Sequence, residues 1–219
     1  MFTGIIEATG TLAALTPKSG DVRVRVQSSE LDMSDVALGD SIATNGICLT
    51  VVAFGSDWYE ADASNETLSV TALGDWQVGS VLNLEKAMQA KTRFGGHMVS
   101  GHVDGVGVIE SLKADARSTH YVLKVPADLA RFVATKGSIT LDGVSLTTNL
   151  VEGDLCHLNI VPHTAKVTNI ANTWQVGARI NLEVDVVARY LDRLRQFDAP
   201  AKAESRIDEA FLAQHGFLK

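Results

Sequence analysis

WQVGSVLNLE (Trp76 to Glu85) comes back 98 residues later as WQVGARINLE (Trp174 to Glu183), with seven of ten letters kept. Upstream, SIATNGICLT (Ser41 to Thr50) comes back 97 residues later as SITLDGVSLT (Ser138 to Thr147), with five of ten kept. Random agreement at average amino-acid usage is roughly one letter in twenty. The chain is therefore a duplication, with one extra residue in the second copy between the two matched blocks. A period near 97 residues is too long for a solenoid repeat and suits a whole small domain. The 219 residues divide into copies at 1–97 and 98–186 and a C-terminal segment, 187–219, outside both.

Composition narrows the function classes. A net charge of −7 with 46% hydrophobic residues fits an acidic globular protein, and no basic cluster could hold nucleic acid electrostatically. MFTGIIEATG at the N-terminus has neither a charged n-region nor a long apolar run, so no signal peptide and no membrane span is expected. Cys48 and Cys156 fall at non-equivalent places in the two copies. They make no disulfide framework and no metal-ligand spacing, so a reducing cytoplasm is the expected location and no metal is expected.

Both copies read as strand. VRVRVQ (Val22 to Gln27) alternates apolar and polar residues, as do Trp58–Ala63, Val81–Glu85, Tyr121–Val125 and Ile180–Val184. Turn signals at Asn45-Gly46, Leu73-Gly74-Asp75, Asp142-Gly143 and Gly153-Asp154 break them at short intervals. Short strands with frequent turns predict an all-β protein with a small barrel in each copy. PADLARFVA (Pro126 to Ala134) predicts two helical turns. VVARYLDRLRQF (Val186 to Phe197) predicts an amphipathic helix with Val187, Tyr190, Leu191 and Leu194 on one stripe. That stripe needs either its own barrel or a second subunit. From Asp198 the chain reads as a mobile tail with a short helix near Ile207 to Gln214.

Superposing the copies pairs candidate site residues. Met1-Phe2-Thr3-Gly4-Ile5 lies over Met98-Val99-Ser100-Gly101-His102, so each copy opens on an apolar–hydroxyl–Gly segment where backbone can approach a ligand closely. Cys48 lies over Ser145 and Thr50 over Thr147, each pair on one strand face. A position that accepts Cys or Ser reads as a polar pocket wall. Asp62 to Thr67 lies over Ile160 to Ala165, with Glu66 facing His163 and Thr67 and Thr164 following. GGHMVSGHVDG (Gly95 to Gly105) is the densest polar stretch. Its His97 and His102, five apart, face opposite sides of an extended chain, one structural and one toward a ligand. There is no Walker loop, no GxGxxG unit and no GxSxG elbow.

These motifs resemble the riboflavin synthase family of the alpha-chain type, built of two lumazine-binding repeats. The resemblance rests on MFTGIIE at Met1, NGICLTV at Asn45, NETL at Asn65, LGDWQVGSVLNLEKAM at Leu73 and GGHMVSGHVDGVG at Gly95. DGVSLT at Asp142, PHT at Pro162 and NLEVDVVARYLDRL at Asn181 complete it, covering residues 1 to about 195. One departure is SLTTNLV after Asp142-Gly143, expected to alter strand packing and not the pocket.

The resemblance implies two tandem six-stranded Greek-key barrels and a C-terminal helix that assembles a homotrimer, with each active site between two subunits. It implies a cofactor-free, metal-free transferase that converts two 6,7-dimethyl-8-ribityllumazine molecules into riboflavin and 5-amino-6-(D-ribitylamino)uracil by four-carbon transfer. A non-catalytic lumazine or flavin carrier on the same fold is the alternative, and a partnership with lumazine synthase is left open. By resemblance, the first pocket would use Gly4, Ile5, Ile6, Ser41, Cys48, Leu49, Thr50, Asp62, Ala63, Ser64, Asn65, Glu66, Thr67, Gly101, His102 and Val103. The second would use Lys136, Ser145, Leu146, Thr147, Ile160, Val161, Pro162, His163, Thr164 and Ala165. His102 is expected to carry the proton, Cys48 or Ser145 to hold or add to C7 of the partner ring, Phe2 to pack near the heterocycle and Asp185 to support the site.

Overall fold

The computed structural model describes residues 1–198 and 209–217. The first copy supplies β1 (Ala8–Lys18), β2 (Asp21–Gln27), β3 (Ser41–Thr44), β4 (Ile47–Phe54), β5 (Trp58–Ala63) and β6 (Val81–Lys86). They close into an antiparallel barrel in the order β1-β2-β5-β4-β3-β6. Alternation does the sorting: on β5 Tyr59, Ala61 and Ala63 point in and are buried, while Trp58, Glu60 and Asp62 point out. The interior is filled by Leu12, Val24, Val26, Ile42, Leu49, Leu82 and Leu84, and the Tyr59 hydroxyl is satisfied by Thr44 Oγ1 at 2.6 Å.

The second copy repeats the order with one change. β7 (Gly105–Asp115), β8 (Ser118–Lys124), β9 (Ser138–Leu141), β10 (Val144–Thr147), β11 (Leu150–Glu152), β12 (Leu155–Ile160) and β13 (Arg179–Val184) form a seven-stranded sheet, β10-β9-β13-β7-β8-β12-β11. The counterpart of β4 is split into β10 and β11, which lie at opposite edges with only Thr148 and Asn149 between them. The sheet therefore curls until its edges nearly meet. The second barrel is seven strands with a seam, not six continuous ones, and the seam falls in the SLTTNLV departure. Its backbone stays paired: Thr148 N–H donates to Gly137 O at 2.9 Å, and Thr148 O accepts from Lys136 N–H at 2.7 Å.

The two copies meet about a pseudo-two-fold axis. Phe2 and Val99 exchange backbone hydrogen bonds of 2.8 and 3.2 Å. Beside them Asn83 Nδ2 donates to Asp142 O and Asn181 Nδ2 to Asn45 O, both at 2.9 Å. Asn45 Oδ1 accepts from Asn83 N–H, as Asp142 Oδ1 accepts from Asn181 N–H. A buried polar network is stabilising only when its members are satisfied, and this one is. Asp142 breaks its symmetry. Burial pushes its carboxyl up to about 7, against hydrogen bonds from Trp174 Nε1–H, Asn181 and Asn169 that favour the charged form.

Among the described residues the helices are α1 (Asn65–Val70), α2 (Pro162–Val167), α3 (Ile170–Thr173), α4 (Val186–Asp198) and α5 (Glu209–Gln214). The two turns expected over Pro126–Ala134 shrink to a 3-10 turn at Ala130–Phe132. A helix that short gains too few hydrogen bonds to offset its nucleation. Matching caps fix the register between copies: Thr71 Oγ1 donates to Thr67 O as Thr168 Oγ1 donates to Thr164 O. Glu66 thus matches His163, and Asp62 matches Asn159 instead of Ile160. The extra residue of the second copy lies between Thr168 and Trp174. Much of the expected tail, 199–208, lies outside the described residues.

Helix α4 docks on its own chain through charge. Arg189 pairs with Asp104, and Arg131 with Asp192 at 3.1 Å. Its apolar stripe, Val187, Tyr190, Leu191, Leu194 and Phe197, is exposed by 52–72%. The stripe does not pack on the chain's own barrels.

Candidate active site

Each copy opens on a hydroxyl–Gly pair held by a buried glutamate. Glu85 Oε1 accepts from Thr3 N–H (2.6 Å) and Thr3 Oγ1 (2.7 Å), while Oε2 accepts from Gly4 N–H (2.9 Å). Glu183 does the same for Ser100 N–H (2.7 Å), Ser100 Oγ (2.6 Å) and Gly101 N–H (2.9 Å). Burial raises the pKa of both carboxyls, and these donors pull the other way. The carbonyls then face across the axis. Gly4 O accepts from Ser145 N–H and Gly101 O from Cys48 N–H, each at 2.8 Å.

Both glycines are required. Gly4 has φ +75° and Gly101 φ +78°, and a Cβ on either would sit 2.6–2.7 Å from the Cβ of Ser145 or Cys48.

This crossing corrects the pocket assignment. Gly4 and Ile6 start the first copy but reach the second barrel, Gly4 against Ser145 and Ile6 packed on the second core, while Ile5 lines a cavity with Glu7, Asp35 and Lys86 of the first copy. Gly101 and Val103 reach the first barrel, Gly101 against Cys48 and Val103 packed on the first core. Ile5 and His102 take equivalent, exposed positions.

The two mouths are chemically unequal. In the second, His97 Nδ1 lies 2.7 Å from Ser145 Oγ and its Nε2 lies 3.1 Å from Thr140 Oγ1. His97 is buried, and burial lowers its pKa, partly opposed by the nearby Asp185 carboxylate. A neutral ring with Nε2–H donating to Thr140 accepts the Ser145 proton at Nδ1 and makes that oxygen more basic. In the first mouth Cys48 stands for Ser145 and Ala43 for Thr140. Both hydrogen-bond partners of His97 therefore differ between the copies, and that paired difference is the sequence signal for His97.

Phe2 is fully buried behind Cys48 and Gly101, with Ala43 and Val99, so its ring backs the pocket instead of facing a ligand. Leu49, Ala63 and Ile160 are core residues. Asp62 points outward to Arg23 Nε (2.7 Å) and Lys18 (3.2 Å), and the Arg23 guanidinium holds its carboxyl down at about 2. Ser41 is half-buried opposite the exposed Thr50. Ser64 caps α1, whose Asn65 and Glu66 are exposed and whose Thr67 is half-buried.

On the second side Thr147, Val161, Pro162 and His163 are exposed, while Leu146, Thr164 and Ala165 are half-buried. Lys136 is exposed in the left-handed region (φ +66°), where the first copy has Gly39. Asp185 Oδ1 caps α4 by accepting from Val187 N–H at 2.9 Å.

The sequence profile of the Lumazine binding domain matches twice, over residues 3–87 and 100–185. The chain is 50% identical to the riboflavin synthase of Photobacterium phosphoreum across the full length of both. It is 41% identical to that of Bacillus subtilis (strain 168), over 99% of this chain and 100% of the relative. Among solved structures, LumP complexed with riboflavin covers 84% of this chain and 99% of its own, with a TM-score of 0.76 at 23% identity, a likeness of fold. With two profile matches, two built mouths and relatives aligned from end to end, the chain belongs to the riboflavin synthase family.

Proposed function

We propose that the chain is a riboflavin synthase: it binds one 6,7-dimethyl-8-ribityllumazine at each barrel mouth and transfers four carbons between them. The products are riboflavin and 5-amino-6-(D-ribitylamino)uracil. The observation that carries this reading is the pair of equivalent but unequal mouths. Dismutation needs two copies of one substrate in different roles, and a duplicated scaffold with a Ser145–His97 pair on one side and Cys48 on the other supplies that.

In this reading the substrate at the second mouth loses a proton from its C7 methyl to Ser145 Oγ, with His97 Nδ1 taking the hydroxyl proton. The carbanion delocalises into the ring, so a modest base suffices. The Cys48 thiol holds or adds to C7 of the substrate at the first mouth, with His102 as proton carrier at its rim. Asp185 steadies the imidazolium that forms at His97. Orientation of two rings face to face can remove ~7–11 kcal/mol of the barrier. The bare apolar stripe of α4 supports a homotrimer whose active site joins the first mouth of one subunit to the second of its neighbour.

The test is turnover against carriage. Purified chain, freed of flavin, is given the lumazine as sole reactant. The proposal expects one riboflavin per two lumazines consumed. Tight binding without turnover would identify a carrier instead.

A further inference from the structure

The outer face of the second barrel carries a pair of imidazoles that the site does not use. His120 on β8 and His157 on β12 are diagonal neighbours across the strand pair. His120 Nε2 lies 3.3 Å from His157 Nδ1, with ring centroids 5.3 Å apart. That separation is at the long end for a hydrogen bond between the two rings. Two imidazole nitrogens bound tetrahedrally to zinc at its usual Zn–N length stand about 3.3 Å apart, and their ring centres about 5.2 Å.

A second observation concerns the far side of His157. Its Nε2 is buried without an aligned hydrogen-bond partner, yet Glu152 Oε2 lies 3.2 Å away at the end of β11. A carboxylate that accepts from the non-ligating nitrogen fixes the tautomer of a metal-bound histidine; the exposed Glu152 carboxylate needs only a small rotation to do so, which leaves the Nδ1 lone pair facing His120. Nor is this a general property of the barrel wall. The first copy has Arg23 and Glu60 at the matching positions, an ion pair of 3.5 Å.

The geometry points to a binding site for a borderline divalent cation, zinc or a close analogue, with His120 Nε2 and His157 Nδ1 as ligands and Glu152 as the positioning carboxylate. Among the described residues no three His, Cys, Asp or Glu side chains converge on one point, so water completes the coordination. The cation would join the β8–β12 pair to β11, the edge strand at the seam.

Calorimetric titration of the intact chain with zinc chloride at neutral pH tests this. One saturable site per chain is expected, weakened about tenfold or more by His120→Asn. Glu152→Gln, which removes no ligand, weakens it less. Should His120→Asn lose its near-ultraviolet circular dichroism, Glu152→Gln alone decides. Absence of saturable binding, binding indifferent to these substitutions, or binding lost instead in His163→Asn would overturn the proposal.

Discussion

Replacing Gly4 with Ala isolates the contact that joins the N-terminal segment to the second mouth. A non-glycine residue at φ +75° costs about 1–2 kcal/mol. The new Cβ would meet Ser145 Cβ at 2.6 Å and Ser145 N at 2.8 Å, an overpacking worth ~1–3 kcal/mol. If the segment moves away to relieve it, the Gly4 O···H–N Ser145 bond is lost, at ~1 kcal/mol. Together roughly 2–5 kcal/mol is at stake, since movement exchanges the overpacking for the lost bond, a lowering of Tm by about 10 °C. Gly153→Ala is the control, because Gly153 has φ +65° and nothing within 4 Å of its added Cβ. It carries the backbone term alone. Thermal unfolding of both variants, with lumazine turnover, is the assay. A Gly4→Ala protein no less stable than Gly153→Ala would refute the crossing of the segment.

His97→Gln is expected to lower turnover ~10²–10⁴-fold while a fluorescent flavin still binds the first mouth; unchanged turnover would remove His97 from the reaction. Ser145→Ala should fall as far as His97→Gln, and the double variant no further, since both act in one pair; additive losses would contradict that. Asp142, about 7 in the folded protein and near 4 unfolded, holds a proton in the native state that the unfolded chain has released. Its contribution is fully present below pH ~4 and fades as pH rises to 7, by up to ~1.4 kcal/mol per unit; chemical denaturation across that window should show a decline that Asp142→Asn abolishes. Asp62→Asn should leave KM unchanged, because its side chain serves the outer ion pairs; a raised KM would mean it reaches substrate.

The duplication, the strand content and the C-terminal helix are legible in the letters because repeats and periodicity are local properties. The crossing of the opening segments is not. Gly4 reads as a tight-turn glycine until Ser145, far along the chain, is found against it. The seam at Thr148–Asn149 is visible only as an altered SLTTNLV, since whether a strand breaks depends on how far its sheet curls. His97 leaves a fainter signal: its partners Ser145 and Thr140 stand where the first copy has Cys48 and Ala43. Asp62 illustrates the reverse, a polar residue beside the pocket whose strand parity turns it outward.

The central claim is that two unequal mouths on neighbouring chains make one active site. Filling one mouth in each of two variants, Cys48→Phe and Ser145→Phe, gives two chains each inactive alone. Mixed one to one after reversible dissociation, they should regain about a quarter of native turnover, because that fraction of neighbour contacts joins two intact mouths. No recovery, from mixtures shown to contain both chains in one assembly, would contradict it.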